Sequence, residues 1–150
     1  PAEQVGGFYA QLEATDFLGS RPVYPEAVAG VRALAAAGHR LFVVTGRLAQ
    51  HRDHTRRMLE AAGLLSLFEA LVHRGGERLA DYKPRVVREL GLQLFIEDEL
   101  EAARAVAGVA VPVLLFDRPW NRADLPGGVT RVTDWDQVVE FVARAAGRPR

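Results

Sequence analysis

The sequence predicts one α/β domain in which a mostly parallel sheet is covered by helices on both faces. Three observations carry that expectation. From residue 24 onward helical and strand patterns alternate, the order that builds parallel strands through right-handed crossovers. Val111 to Phe116 is a continuous apolar run, as expected of a strand buried on both faces. Proline and glycine punctuate the chain at the spacing of short helices. A chain of 150 residues fits one domain that buries roughly two-thirds of its unfolded surface, and residues 1–150 show no repeat and no low-complexity linker.

In order, Pro25 opens a helix at a position where its missing N–H costs little; Val28, Val31 and Ala35 line it, and Gly38 ends it. Leu41 to Val44 reads as a strand ending in Thr45-Gly46-Arg47. Thr55, Met58, Leu59 and Ala62 recur at helical spacing until Gly63. Ala70 to His73 reads as a strand. Pro84 then sits one residue into a helix carrying Val86, Val87 and Leu90, which places Lys83 at the helix start and Gly91 at its end. Gln93 to Ile96 is a strand running into Glu97, Asp98, Glu99 and Glu101. A short helix to Ala107, the strand ending at Phe116, a loop from Asp117 to Gly128, a strand near Val132 and a helix striped by Val138, Phe141, Val142 and Ala145 complete the chain.

Composition narrows the function classes. Nineteen basic side chains balance nineteen acidic ones, so no nucleic-acid or membrane partner is expected on electrostatic grounds. There is no cysteine, hence no disulfide framework and no thiolate chemistry. No apolar run approaches the ~20 residues of a membrane span, and the start does not read as a signal peptide. The expectation is a soluble, cytoplasmic protein of open oligomeric state. Lys83 is the only lysine, so arginine supplies every other non-histidine cation.

In open parallel sheets ligands bind at the carboxyl ends of the strands, and three such junctions carry chemistry. Thr45 and Gly46 can offer a hydroxyl and backbone N–H groups to a phosphate oxygen, although a Thr-Gly turn is also a common connection. Lys83 could be a solvated lysine. Yet a cation at a helix N-terminus is unfavourable without an anion nearby, and a lone lysine in an arginine-rich chain suggests a site needing the compact ammonium. Glu97, Asp98, Glu99 and Glu101 crowd negative charge that a hard divalent cation would relieve, Mg²⁺ being usual beside phosphate; an acidic first helical turn explains the same pattern.

The order of these junctions resembles the second, third and fourth motifs of the haloacid dehalogenase superfamily. Phe95 to Glu101, Val113 to Arg122, Leu125-Pro126 and Arg131 to Trp135 look like the nucleotidase-like branch related to 5'(3')-deoxyribonucleotidases, as do Phe8-Tyr9 and Pro22 to Pro25. The resemblance implies a three-layer α/β/α Rossmann-like fold and Mg²⁺-dependent hydrolysis of a small phosphomonoester, a (deoxy)nucleoside monophosphate, through an aspartyl-phosphate. It implies phosphate binding by Thr45, Gly46, Arg47 and Lys83, catalysis by Thr45 and Lys83, a Mg²⁺ position at Asp98, and Glu97 or Glu101 supporting that metal.

One departure is serious. The family's first motif is an apolar strand ending in Asp-x-Asp, and residues 1–23 contain none; Asp16 follows no apolar run. The one Asp-x-Asp, Asp134-Trp135-Asp136, would serve only in a circular permutation, and Asp134 is well placed to cap the last helix. The expectation is that the nucleophile strand precedes Pro1 in the native protein and that these 150 residues alone are inactive. The first-motif strand lies mid-sheet in the family, so without it its two neighbours would expose unpaired edges.

The rival reading is a non-catalytic phosphate-binding module without a nucleophile; a receiver domain fits the residue order less well. His51, Asp53 and His54 share a helical turn but lack the ligand count of a zinc site. Trp120 either stacks on a base or pins its loop.

Overall fold

The computed structural model describes residues 22–147; Phe8, Tyr9 and Asp16 lie outside them. Helix α1 (Pro25–Ala36) has proline in its first turn, and strand β1 (Leu41–Leu48) follows. A 3₁₀ turn leads into α2 (Arg52–Ala61), then β2 (Phe68–Arg74) and α3 (Leu79–Glu89). The chain continues through β3 (Phe95–Glu97), α4 (Leu100–Ala107), β4 (Val113–Phe116), β5 (Val129–Val132) and α5 (Trp135–Ala146). Gly38, Gly63 and Gly91 end the three helices they were expected to end, with φ of 83°, 64° and 62°, a left-handed conformation that carbonyl-capping turns favour and that glycine adopts without penalty.

The strands form two parallel sheets, β1–β2 and β3–β4–β5. Strand β4 shows how the layers are built. Its four residues are all buried, and alternate side chains point to opposite faces. Val113 and Leu115 pack with Val87 of α3 and Ala103 and Val106 of α4. Leu114 and Phe116 pack with Leu34 of α1 and Val138 of α5. A sheet between two helical layers is therefore written into one continuous apolar run, and each such side chain contributes about 1.5–3 kcal/mol by leaving water. Leu41, Val43, Phe68 and Leu71 pack β1–β2 against Val31 of α1 and Leu59 of α2.

Helices α1 and α5 meet closely because Gly30 has no side chain. A Cβ there would lie 2.4 Å from the Trp135 ring, well inside contact distance. Trp135 in turn packs on Phe116, with ring centroids 5.5 Å apart.

Strands β1 and β3 do not pair with each other. Among the described residues, each has a strand neighbour on one side only: β2 for β1, and β4 for β3. A cleft of about 470 Å³ is lined by Leu41, Phe42 and Val44 of β1 and by Leu94, Phe95 and Ile96 at β3. It is also lined by residues 38–40 and 90–93, which precede these strands, so it runs between β1 and β3 from their amino ends as far as Val44 and Ile96. No helix among the described residues is long and apolar enough to cross a membrane.

Two element boundaries differ from expectation in ways that matter. Strand β1 runs past Val44 to Leu48, through a register irregularity after Thr45. Helix α3 begins at Leu79, so Lys83 lies in its interior rather than at its start, with Pro84 also inside the helix. Proline in a helix deprives the carbonyl four residues earlier of its donor, which is why the sequence reads as a helix starting at Lys83, with Pro84 one residue in. Burial of Tyr82, Lys83, Val86 and Val87 along one face outweighs that loss.

Candidate functional site

Lys83 is 7 % exposed and Glu97 8 %. Lys83 Nζ donates to Glu97 Oε2, and the ammonium also lies 5.9 Å from the Phe95 ring centroid. Lys83 lies a turn beyond the helix start, so the helix dipole gives no reason for an anion beside it. The lone lysine is instead a buried cation held by a buried carboxylate. Burial pushes the Glu97 carboxyl above the usual range, while the Lys83 charge and the N–H groups of Asp98 and Glu99 pull it back. Glu97 Oε1 accepts from those two N–H groups, at 3.0 and 3.2 Å. One carboxylate thus holds both the lysine and the turn that leaves β3.

Helix α3 is held in place from both sides. The Tyr82 hydroxyl donates to the Val72 carbonyl of β2 at 2.8 Å; burial pushes its pKa up to about 12, so it stays a donor at neutral pH. A Cβ on Gly46 would meet Leu79 Cδ2 at 2.7 Å, so glycine at the end of β1 admits the first residue of α3. Arg74 fixes the same corner, donating to the Gly46 carbonyl at 3.1 Å and the Glu77 carbonyl at 2.9 Å.

Asp98 is exposed at the carboxyl end of β3, and its carboxylate has no hydrogen bond or ion pair among the described residues. Its carbonyl accepts from Asn121 Nδ2 at 2.7 Å and Trp120 Nε1 at 3.2 Å. Trp120 pins its loop in this way while remaining 67 % exposed. Asn121, fully buried, also donates to the Phe116 carbonyl at 2.8 Å and accepts from Arg118 N and Arg131 Nη1. Arg131 reaches Asp117 as well, at 3.0 Å. The Asp117–Arg122 loop is therefore tied to β3, β4 and β5 by satisfied buried polar groups. Asn121 and Arg131 fall within the runs that carry the family resemblance, but no role was read for either, since a single polar residue in a loop or a short strand carries no periodic signal.

Thr45 is partly buried near the end of β1. Its Oγ1 accepts the Arg47 backbone N–H at 3.2 Å, and its own proton has no acceptor among the described residues. The Arg47 guanidinium donates to Thr55 Oγ1 at 3.5 Å, and His73 Nε2 lies 3.1 Å from the same oxygen. Thr55, read from the sequence as part of a helical stripe, is indeed buried, and its hydroxyl links two strand ends. His73 pairs in register with Thr45 near the carboxyl end of β2, and its place as the last residue of the strand expected from sequence was the signal for it.

His51 and His54 lie near one another, with ring centroids 6.2 Å apart, and Gln50 and Arg57 are the polar partners of their rings. Among the described residues no three His, Asp or Glu side chains form a metal-binding group. Glu101 is on the surface, paired with Arg104 at 2.6 Å. Asp134 caps α5 by accepting from Gln137 N at 2.9 Å, and that bond with the Thr133 hydroxyl holds its carboxyl below the usual range. The Asp-x-Asp at 134–136 is accordingly a helix cap.

No family model matches the chain. In sequence it is similar to a provisionally named nucleotidase of Halalkalibacterium halodurans, 29% identical over 105 residues, which are 69% of this chain and 51% of that protein. The chain spans about half the length of the curated relatives it matches first. In structure it is similar to a haloacid dehalogenase-like hydrolase of Streptococcus pneumoniae, with a TM-score of 0.68 and 13% identity over 93% of this chain and 69% of that one. It is also similar to protein tyrosine kinase A of Mycobacterium tuberculosis, with a TM-score of 0.69 and 18% identity over 94% and 69% of the two chains. At these identities the structural likeness shows the fold alone: a Rossmann-like α/β fold of the haloacid-dehalogenase type. The sequence likeness points to nucleotidases.

Proposed function

We propose that this chain, which has the haloacid-dehalogenase fold and sequence likeness to nucleotidases, is the core of a magnesium-dependent phosphomonoester hydrolase. The observation that carries the reading is the buried Lys83–Glu97 pair beside Asp98, at the end of a strand whose edge away from β4 is unpaired among the described residues. A compact cation held there can neutralise both an attacking carboxylate and a phosphoryl oxygen. On β1, the Thr45 hydroxyl has a proton to donate to a phosphate oxygen, with Gly46 and Arg47 beside it.

The nucleophile is proposed to come from an apolar strand ending in Asp-x-Asp, supplied from upstream of Pro1 and lying between β1 and β3. Such a strand would hydrogen-bond to the edges of β1 and β3 that are unpaired among the described residues, fill the cleft between them, and bring its first aspartate between Thr45 and Lys83. That aspartate would attack phosphorus as the ester oxygen leaves, and water would then hydrolyse the aspartyl-phosphate. The 150 residues alone would bind phosphate without turnover.

The donor set can be tested for magnesium. The ion keeps several waters and needs only one or two carboxylates, and the exposed Asp98 carboxylate fits that part. Glu97 fits less directly, since Oε2 serves Lys83 and Oε1 serves two backbone N–H groups; its role is to orient Asp98 and Lys83. When bound, magnesium would supply charge neutralisation at the phosphoryl group.

A deoxynucleoside monophosphate is the proposed substrate, on the likeness to nucleotidases. The test is an assay of the protein extended upstream by its natural sequence, comparing deoxynucleoside monophosphates with sugar phosphates, with Mg²⁺ and with chelator. Turnover in chelator equal to that in Mg²⁺ would reject the reading.

A further inference from the structure

His73 has no place in the reaction proposed above, yet it is one of the five buried polar or charged side chains among the described residues. Its Nε2 contacts Thr55 Oγ1 at 3.1 Å, and its buried Nδ1 has no well-formed hydrogen bond among the described residues. We propose that His73, acting through the Thr55 hydroxyl, is a positioning residue that holds the Arg47 guanidinium ready for the phosphate of the substrate. The proposal rests on the assignment of Thr45 to Arg47 as the phosphate-binding turn.

Arginine can only donate, so Thr55 Oγ1 must accept from Arg47. The Thr55 proton then has two acceptors in reach, the His51 carbonyl at 3.4 Å and His73 Nε2 at 3.1 Å. The imidazole is the nearer, and a neutral ring accepting at Nε2 gives Thr55 one bond out and one bond in. If His73 gains a proton, Nε2 becomes a donor, and two cations converge on a single oxygen.

The surroundings already disfavour that proton. Burial lowers the His73 pKa, and Arg52 at the start of α2, Arg47 on β1 and His51 in the preceding turn lower it further; only the Leu71 backbone opposes them. The α3 side of β2 brings the neutral Tyr82 phenol, bonded to Val72 O. Among the described residues no carboxylate acts on the ring. These surroundings favour the neutral ring, and Arg47, half-buried, is the group expected to yield on protonation.

The sign of the effect on anion binding distinguishes this arrangement from plain electrostatics. An added positive charge near an anion site tightens binding; loss of a positioned arginine weakens it. Sulfate is the probe, because it stays dianionic through the imidazole range. In the full-length protein, calorimetric sulfate affinity is expected to fall roughly tenfold as pH drops through the His73 titration, the order of one charged hydrogen bond. His73→Gln keeps an acceptor without the titration and should bind as the parent does at neutral pH, with no acid decline. Thr55→Ser should behave as the parent, while Thr55→Val should bind weakly at all pH values. In parallel, the Arg47 side-chain nitrogen resonance in the ligand-free protein should follow the His73 titration, and should not do so in Thr55→Val. Affinity that rises with acid, or an Arg47 resonance indifferent to His73, overturns the proposal. Absence of sulfate binding at every pH, with Arg47 still following His73, would overturn the phosphate assignment and leave the positioning relation standing.

Discussion

Lys83 on α3 and Glu97 on β3 form a buried ion pair at the carboxyl end of the three-stranded sheet. The pair fixes the chain's only lysine, and through Glu97 Oε1 it also fixes the backbone on either side of the Asp98–Glu99 peptide. Breaking a buried pair strands its partner, which typically costs about 3–5 kcal/mol, whereas replacing both members with neutral groups of similar volume costs far less. Lys83→Met and Glu97→Gln are therefore each expected to destabilise the fold strongly, and the double variant to recover most of the loss. Denaturant unfolding of the four proteins of the cycle measures it.

Lys83→Arg asks a different question. The charge remains, so Glu97 keeps a partner, but the larger planar group must enter a closed site at an overpacking cost of about 1–3 kcal/mol. The ammonium's contact with the phosphoryl group is lost, and removing one such contact lowers turnover by roughly 10²–10³. Steady-state rates on the upstream-extended protein, beside a thermal melt, should show a folded variant at least a hundredfold slower. A rate within threefold of the parent would make the lone lysine an accident of composition.

Asp98→Asn should abolish turnover or raise its Mg²⁺ requirement, because the variant removes the exposed carboxylate at the end of β3. His51→Ala and His54→Ala should leave the Mg²⁺ dependence unchanged. A metal titration of activity in the three variants separates the two candidate sites.

Stability should respond to acid through His73. Its folded pKa is lowered, so the unfolded chain binds the proton more readily. The contribution to stability is complete above the ordinary imidazole pKa of about 6.5 and is lost as pH falls from there toward the lowered folded value. Unfolding curves at successive pH values should show this loss, and His73→Gln should lack it.

Gly30→Ala would place a methyl group 2.4 Å from the Trp135 ring. The ring is wedged against Phe116 and cannot swing clear as a flexible side chain would, so overpacking of about 1–3 kcal/mol is expected. A lowered melting temperature without change in metal dependence would confirm that α1 and α5 are scaffold.

Most of the fold was legible in the sequence where local signals and burial agree. The run ending at Phe116 announced a strand between two helical layers, and Gly38, Gly63 and Gly91 marked helix ends. The start of α3 was not legible, because Pro84 imitates a helix N-terminus and only tertiary burial of Tyr82 and Lys83 shows otherwise. At the candidate site, Thr45, Lys83, Glu97 and Asp98 were visible as polar residues at or near expected junctions. Their partnerships were not: nothing local in sequence pairs Lys83 with Glu97, joins Thr55 to His73, or ties Asn121 to the Asp98 carbonyl across 23 residues.

The arrangement of β1 and β3 tests the account most directly. A crystal structure of the protein extended upstream of Pro1 should show a parallel strand hydrogen-bonded to both β1 and β3, with an aspartate at its end between Thr45 and Lys83. A direct and complete ladder between Leu41–Val44 and Phe95–Ile96, with no strand between them, would contradict it.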